Sequence, residues 1–159
     1  IMLHYKLVVL LLITSSLAFA QSKKDIKKNK IKTIAVTTFE NGKTIYESKA
    51  TYDSNGNPIE KIDYTKEGQI KSISKLKYNE NGDDIEENQY DANNKLTEKK
   101  TSKYNEKGDK IEESVFDGEG KLLKKHQYLY DTKGLKTERR TLDAEGKVIS
   151  IKKYTYTTK

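Results

Sequence analysis

Hydrophobic and polar residues alternate along most of the chain, in runs that are separated by short polar turns. In residues 69–78, for example, Ile70, Leu76 and Tyr78 fall on one side at a period of two, and lysines occupy much of the other side. A period of two is typical of a β-strand with one half-buried face. Longer runs alternate with shorter ones, so the pattern predicts strands that come in pairs.

The strand pairs form a repeat of 26 residues. A tyrosine returns at this interval, and a glycine and then a glutamate follow the first four tyrosines at steps of four residues. A period between about 20 and 50 residues indicates a repeat architecture. The three series are Tyr52, Tyr78, Tyr104, Tyr130 and Tyr156; Gly56, Gly82, Gly108 and Gly134; and Glu60, Glu86, Glu112 and Glu138.

The turns that follow each tyrosine have the form Tyr-Asp/Asn-x-x-Gly, as in residues 78–82. Asp or Asn at the first position of a type I turn accepts hydrogen bonds from the turn backbone, and the glycine supplies the positive φ of a bulged hairpin. Asn94 stands where a glycine is expected, and asparagine tolerates that conformation best after glycine. Turns this close together leave no room for crossovers. We therefore predict an all-β fold, a single-layer antiparallel β-meander of about ten strands.

A second row of side chains is expected beside the tyrosines. Ile59, Ile85 and Ile111 recur at the same interval, and Thr137 ends the series. Equivalent residues lie two strands apart in a meander, roughly 9 to 10 Å. Pro58 opens its strand, a position where no ladder hydrogen bond is lost.

The first twenty residues have the features of a secretory signal peptide. Lys6 precedes an apolar run at 7–13, and Ala18-Phe19-Ala20 forms a small-x-small cleavage site. We therefore predict a signal peptide at 1–20, a basic flexible linker at 21–30 and a β-repeat domain at 31–159. The expected protein is exported, periplasmic or extracellular, with no membrane span in the mature chain.

Composition limits how such a domain can be stabilised. Hydrophobic residues make up 33% and charged residues 35% of the chain, and the mean hydropathy is −0.91, which argues against a thick closed core. The chain has no cysteine, so strand pairing is the main expected stabiliser. The net charge is +7, but no nucleic-acid-binding motif accompanies it, and we expect neither a nucleic-acid partner nor a cofactor.

No residue constellation indicates catalysis or a metal site. The four repeated glutamates are interpreted as cross-strand partners of lysine and threonine, because catalysis needs one pair of carboxylates in distinct environments. His126 has no second histidine or cysteine near it in sequence, and the aspartates of the turns are explained by the turns. The chain is therefore predicted not to be an enzyme, with no catalytic residue and no metal ligand.

The tyrosine row is the candidate ligand site, and it comprises Tyr52, Tyr78, Tyr104 and Tyr130. Evenly spaced aromatic rings on a sheet can stack on sugars, and basic neighbours can attract an acidic polysaccharide. The alternative is that the rings pack on each other and on lysine stems, which makes them the apolar layer of the sheet. The absence of tryptophan favours this second interpretation.

The Tyr130-Asp131-x-x-Gly134 and Tyr52-Asp53-x-x-Gly56-Asn57 motifs, with Tyr90-Asp91 and Phe116-Asp117 between them, resemble the YD repeats of rearrangement-hotspot (Rhs) and teneurin-type proteins. The resemblance covers roughly residues 39–157. It implies a β-sheet of repeated hairpins, and in that family such sheets spiral into shells, often around a toxin. Some members are cell-surface or carbohydrate-binding proteins.

Export, repetition, the tyrosine row and the basic surface together predict a non-catalytic binding module of the cell envelope or the extracellular space. The expected partner is a cell-surface glycan or an envelope protein. The alternative is a structural or toxin-associated shell fragment of the Rhs type that acts with a partner protein. The sequence leaves the oligomeric state open.

Overall fold

The computed structural model describes residues 21–157, and the predicted signal peptide at 1–20 lies outside them. Within this range the chain forms one short helix and ten strands. Their bounds are α1 Lys23–Lys28, β1 Thr33–Glu40, β2 Lys43–Tyr52, β3 Pro58–Tyr64, β4 Ile70–Tyr78, β5 Asp84–Tyr90, β6 Leu96–Tyr104, β7 Lys110–Asp117, β8 Leu122–Tyr130, β9 Lys136–Asp143 and β10 Val148–Lys153.

The ten strands form one antiparallel sheet in the order of the chain, from β1 to β10. Each strand pairs with its neighbour in sequence, so the sheet is an open meander with β1 and β10 at its two edges and is not closed into a barrel. The prediction of an all-β, single-layer meander of about ten strands is confirmed.

The strand register repeats with the sequence. Tyr52 pairs with Pro58, and the pairing recurs one repeat later between Tyr78 and Asp84. The register shifts by one residue directly before each of these tyrosines, which leaves one extra residue on the following strand. This is the geometry of a β-bulge. The extra residues are Ile59, Ile85, Ile111 and Thr137.

The bulges account for the position of the isoleucine row. The three isoleucines lie beside the tyrosines as expected, yet all three are exposed. A bulge residue lacks an opposite partner and bends its strand, so its side chain leaves the alternation that the flanking residues follow. β-Bulges also occur at the opposite ends of the strands. Leu123 and Ile149 are extra residues there and are likewise exposed.

The turns have the predicted chemistry. Asp53 Oδ1 accepts hydrogen bonds from the backbone amides of Asn55 and Asn57 at 2.9 and 2.8 Å. Gly56 has a φ of 81°, and its amide donates to the Asp53 carbonyl at 3.1 Å. Asn94 adopts a φ of 60°, which confirms that it replaces glycine in its turn.

Helix α1 lies within the segment that the sequence analysis expects to be a flexible linker. The Ser22 side chain caps the helix by accepting from the Asp25 amide at 3.2 Å. Ile26 is only 3% exposed and packs with Ala50 and Tyr52. This one apolar side chain docks the helix by closing an apolar cluster at the β2 end of the sheet, and the polar residues around it face solvent.

Elsewhere the sheet has few fully buried apolar side chains, and several ion pairs cross between its strands. Glu86 contacts Lys77 at 2.8 Å on one neighbouring strand and Lys99 at 3.0 Å on the other. Glu112 contacts Lys103 at 3.0 Å in the equivalent position one repeat later. The interpretation of the glutamates as cross-strand partners of lysine agrees with these contacts.

Candidate functional site

The predicted site residues all lie at one end of the strands, next to the turns at 53–57, 79–83, 105–109 and 131–135, which we call the turn edge. The tyrosine row does not present four equal rings. Tyr52 is 7% exposed beneath α1, whereas Tyr78, Tyr104 and Tyr130 are half-buried. The structure therefore places the four residues in one row and leaves three of them partly accessible.

The tyrosine hydroxyls are used within the sheet. The hydroxyls of Tyr78, Tyr104, Tyr130 and Tyr156 each donate to the main-chain carbonyl of the residue 20 positions earlier, which is the first residue of a short strand. A hydrogen bond of this kind ties each turn of the turn edge to the turn before it. The pairs are Tyr78 to Pro58 at 2.9 Å, Tyr104 to Asp84 at 3.1 Å, Tyr130 to Lys110 at 2.8 Å and Tyr156 to Lys136 at 2.8 Å.

Lysines cover some of the same rings. The Lys110 ammonium lies 5.6 Å from the centroid of the Tyr104 ring, while the Lys110 carbonyl accepts from Tyr130. Lys136 repeats this arrangement, with its ammonium 5.9 Å from the Tyr130 ring centroid. Lys110 and Lys136 thus each connect two successive tyrosines, by a cation–π contact and by a hydrogen bond. These contacts match the interpretation in which the rings pack on lysine side chains.

The phenols remain neutral at ordinary pH. Burial, with the Asp84 charge as the next cause, raises the pKa of Tyr78 to about 12. Burial also raises the pKa of Tyr104, and its hydrogen bond to the Asp84 carboxylate adds to the shift. A phenol with a raised pKa is a poor general base, so the row offers ring faces and neutral hydroxyls to a ligand.

Between α1 and the turn edge lies a groove of about 980 Å³, which we call the first turn groove. Tyr78, Ile59 and Leu76 line it on the sheet side, and the turns at 53–57 and 79–83 contribute polar side chains and backbone. Helix α1 forms the remaining wall with Lys23, Lys24 and Lys27. The groove therefore combines an aromatic ring and exposed apolar carbons with a basic rim.

A second groove of about 480 Å³ lies further along the turn edge. Except for Glu106, its residues are residues of the first turn groove shifted by 52 positions, which is two repeats. Tyr130 replaces Tyr78, Ile111 replaces Ile59 and Tyr128 replaces Leu76. The groove is thus a product of the repeat itself. Equivalent residues of the two grooves lie four strand spacings apart, or ~19 Å along the sheet.

The two grooves differ in charge. The lysines of α1 line only the first, whereas the second has Lys107 together with the carboxylates of Glu106, Asp109 and Asp131. Within the first groove, partial burial on its own raises the pKa of Asp53. Hydrogen bonds from Asn57 and Asn55 and the Lys23 charge outweigh that effect, so the pKa of Asp53 is lowered. The first groove, with four lysines against Asp53 and Glu80, is therefore more positively charged than the equivalent groove two repeats later.

The other polar candidates are engaged in structural contacts. Hydrogen-bonded ion pairs with Lys77 and then Lys99 lower the pKa of Glu86 to about 2, so this carboxyl is ionised and a poor proton donor. His126 Nδ1 lies 3.0 Å from Thr141 Oγ1, and burial followed by the Arg139 charge lowers its pKa. Within residues 21–157, no three acidic or histidine side chains are grouped so as to hold a metal ion.

The contribution of α1 to the site is what the sequence reasoning missed. A segment with one isoleucine among lysines has no measurable period, so the pattern gave no reason to expect a helix. A signal was present in Ser22-Lys-Lys-Asp25, the cap and first-turn acid of a helix, followed by Ile26 and Ile31.

No helix in the part of the chain that the structure describes is long and apolar enough to cross a membrane.

Comparison with known proteins finds only weak structural similarity. No protein-family model matches the sequence, and no curated protein matches it significantly. Among solved structures, a protein with unknown function from Bacteroides fragilis NCTC 9343 is similar over 80% of this chain and 96% of its own, with 16% identity and a TM-score of 0.41. TarM matches 79% of this chain with 22% of its own length, at 19% identity and a TM-score of 0.31. Such values carry no argument about function.

Proposed function

We propose that this protein is an exported, non-catalytic binding module whose first turn groove takes an acidic extracellular glycan. The observation that carries the proposal is the composition of that groove, in which the ring of Tyr78 and the side chain of Ile59 lie opposite three lysines of α1. Glycans that carry carboxylate or phosphate groups present both an apolar ring face and a negative charge. The groove offers a partner to each.

The volume and the polar lining of the groove fit this ligand class. Ligand clefts typically occupy about 300–1,000 Å³, and the first turn groove lies at the upper end of that range. Asn55 and Asn81 add exposed amide groups to the wall. Amides donate and accept hydrogen bonds, which suits the hydroxyl groups of a sugar.

Repetition of the groove favours a polymer over a small molecule. A linear ligand that lies along the turn edge passes the second groove ~19 Å from the first. The second groove offers Tyr128, Tyr130 and Ile111 with less positive charge. We infer that the first groove supplies the electrostatic attraction and the second groove extends the contact. The non-catalytic part of the proposal is supported by the ion pairing of Glu86 and Glu112, whose carboxylates already have lysine partners.

The experiment is a glycan array in which acidic and neutral polysaccharides are compared on the full chain purified from expressing cells, with its N-terminus determined by mass spectrometry. Titration calorimetry then measures the affinity for the best acidic oligosaccharide. The double variant Lys23→Gln and Lys24→Gln is expected to weaken binding about tenfold, because two charge-assisted contacts are lost. Binding by the unchanged chain should also weaken as salt is raised.

The matched control is Lys107→Gln, which removes a lysine from the second groove and should have a smaller effect. Tyr78→Ala, with its fold checked by circular dichroism, should weaken binding of the same oligosaccharide. Equal binding of neutral and acidic glycans, or full affinity in the Lys23/Lys24 variant, would overturn the proposal. Hydrolysis of a glycan that Glu86→Gln abolishes would overturn its non-catalytic part.

A different observation favours the alternative of a structural or shell fragment that acts with a partner protein. Strand β10 exposes Val148, Ile149 and Ile151, and Ile149 is 59% exposed. Apolar side chains grouped on one strand are typical of a protein-contact surface. A pull-down that recovers one protein with the unchanged chain and loses it with Ile149→Lys plus Ile151→Lys, while the glycan array stays blank, would favour this alternative.

A further inference from the structure

A second cavity lies on the other side of α1, between the helix and β2, with a volume of about 580 Å³. Ile26, Ile31 and Tyr52 form its apolar interior. The cationic side chains that line the cavity are those of Lys27, Lys30 and Lys32. We call it the helix cleft, and it shares only Lys27 and Asp53 with the first turn groove.

The helix ends in a way that builds this cleft. The Ile31 amide donates to the Ile26 carbonyl at 3.0 Å, and the Lys30 amide donates to the Lys27 carbonyl at 3.2 Å. These two bonds form a Schellman motif. In this motif an apolar contact joins the third residue before the C-cap residue to the second residue after it. Ile26 and Ile31 make that contact, so both are fixed as the apolar wall of the cleft.

Lys30 occupies the position in this motif where glycine is usual. Its φ is 52°, in the left-handed region that L residues other than glycine, asparagine and aspartate rarely enter. The chain therefore keeps a long cationic side chain at the helix cleft in a conformation that glycine would adopt more easily. Strained residues that carry a side chain in this way are concentrated at ligand sites.

We propose that the helix cleft binds an anionic amphiphile, a molecule with an alkyl chain and a carboxylate head, with the alkyl chain against the wall that Ile31, Ile26 and Tyr52 form and the carboxylate at Lys30. Apolar walls favour an alkyl chain by removing it from water. Three lysines against the single carboxylate of Asp53 give the cleft the opposite charge to the head group. The helix cleft is a different site from the first turn groove, and its proposed ligand belongs to a different class from the acidic glycan.

The test uses calorimetry with sodium decanoate on the full chain. We expect saturable binding of one decanoate per chain. It should be on the order of a thousandfold tighter than that of butyrate, whose alkyl chain is six methylenes shorter, and about tenfold tighter than that of decan-1-ol, which lacks the charge. The methyl resonances of Ile26 and Ile31 should shift during the titration. Lys30→Gly is the decisive variant, because glycine accepts the backbone conformation without strain while the lysine side chain and its ammonium group are removed.

Lys30→Gly should weaken decanoate binding about tenfold while its thermal midpoint is unchanged or raised. Lys28→Gln and Lys23→Gln should leave decanoate binding unchanged, because Lys28 lines neither cavity and Lys23 lines only the first turn groove. Lack of decanoate binding, equal binding of decan-1-ol, or full affinity in Lys30→Gly would overturn the proposal. Binding to phosphatidylglycerol vesicles without binding of free decanoate would also overturn it, in favour of a membrane surface.

Discussion

The hydroxyl of Tyr78 donates a hydrogen bond of 2.9 Å to the main-chain carbonyl oxygen of Pro58, the first residue of β3. This bond crosses from the end of one strand to the start of its neighbour and links two turns of the turn edge. Equivalent bonds recur every 26 residues, so the tyrosines contribute both a ring and a hydroxyl to the same structural role.

Tyr78→Phe should lower the free energy of unfolding by about 1 kcal/mol, because the ring is kept and only the hydrogen bond is lost. The thermal midpoint should fall by about 2–8 °C. The control is Tyr46→Phe, since Tyr46 is 53% exposed and its hydroxyl makes no hydrogen bond within residues 21–157. Equal midpoints for the two variants would contradict the role assigned to the hydroxyl.

Alkaline pH should destabilise the sheet through the same residue. The pKa of Tyr78 is raised from its ordinary value of 10.0 to about 12, first by burial, so folding favours the neutral phenol. This stability is fully present below pH 10 and is lost as the pH rises toward 12. Urea midpoints measured between pH 9 and 12 should fall less steeply in Tyr78→Phe than in the unchanged chain. Absorbance at 295 nm would follow the ionisation itself.

Gly108 tests the turn geometry without interference from packing. Its φ is 82°, and a Cβ added there would meet no atom within 4 Å. Gly108→Val should therefore cost about 1–3 kcal/mol through backbone strain alone. Gly108→Asn should cost clearly less, because asparagine already occupies the equivalent place at Asn94 with a φ of 60°. Valine and asparagine variants of equal stability in urea would show that the positive φ is not the constraint.

Acid should weaken the ion pairs of Glu86. The pKa of this carboxyl is lowered from 4.5 to about 2 by Lys77 and then Lys99, so folding favours the carboxylate. The resulting stability is fully present above the ordinary value near pH 4.5 and is lost as the pH falls toward 2. Glu86→Gln should cost about 1 kcal/mol at pH 7 and progressively less below pH 4.5. The control is Glu106→Gln, in an exposed turn, which should leave the free energy of unfolding unchanged both at pH 7 and below pH 4.5.

How much of this could be read from the sequence depended on the length of each signal. The 26-residue tyrosine series determined the strand count, the antiparallel order and the turns, because five copies reinforce one another. Bulges were expected at the turns, but an alternation of period two does not show that Ile59 is the extra residue and is therefore exposed. Helix α1 has only one apolar residue, Ile26, so its docking could not be inferred from periodicity. The first turn groove, which depends on that docking, was missed for the same reason.

The constant register has a consequence for the length of the molecule. The same strand pairing recurs in every repeat, at Tyr52–Pro58, Tyr78–Asp84, Tyr104–Lys110 and Tyr130–Lys136. Residues 84–109 are therefore one interchangeable unit of the sheet. A chain that loses or duplicates these 26 residues would keep every bulge, tyrosine bond and turn in phase. The number of strands in the sheet therefore changes in steps of two when recombination adds or removes a repeat, and α1 remains at one end.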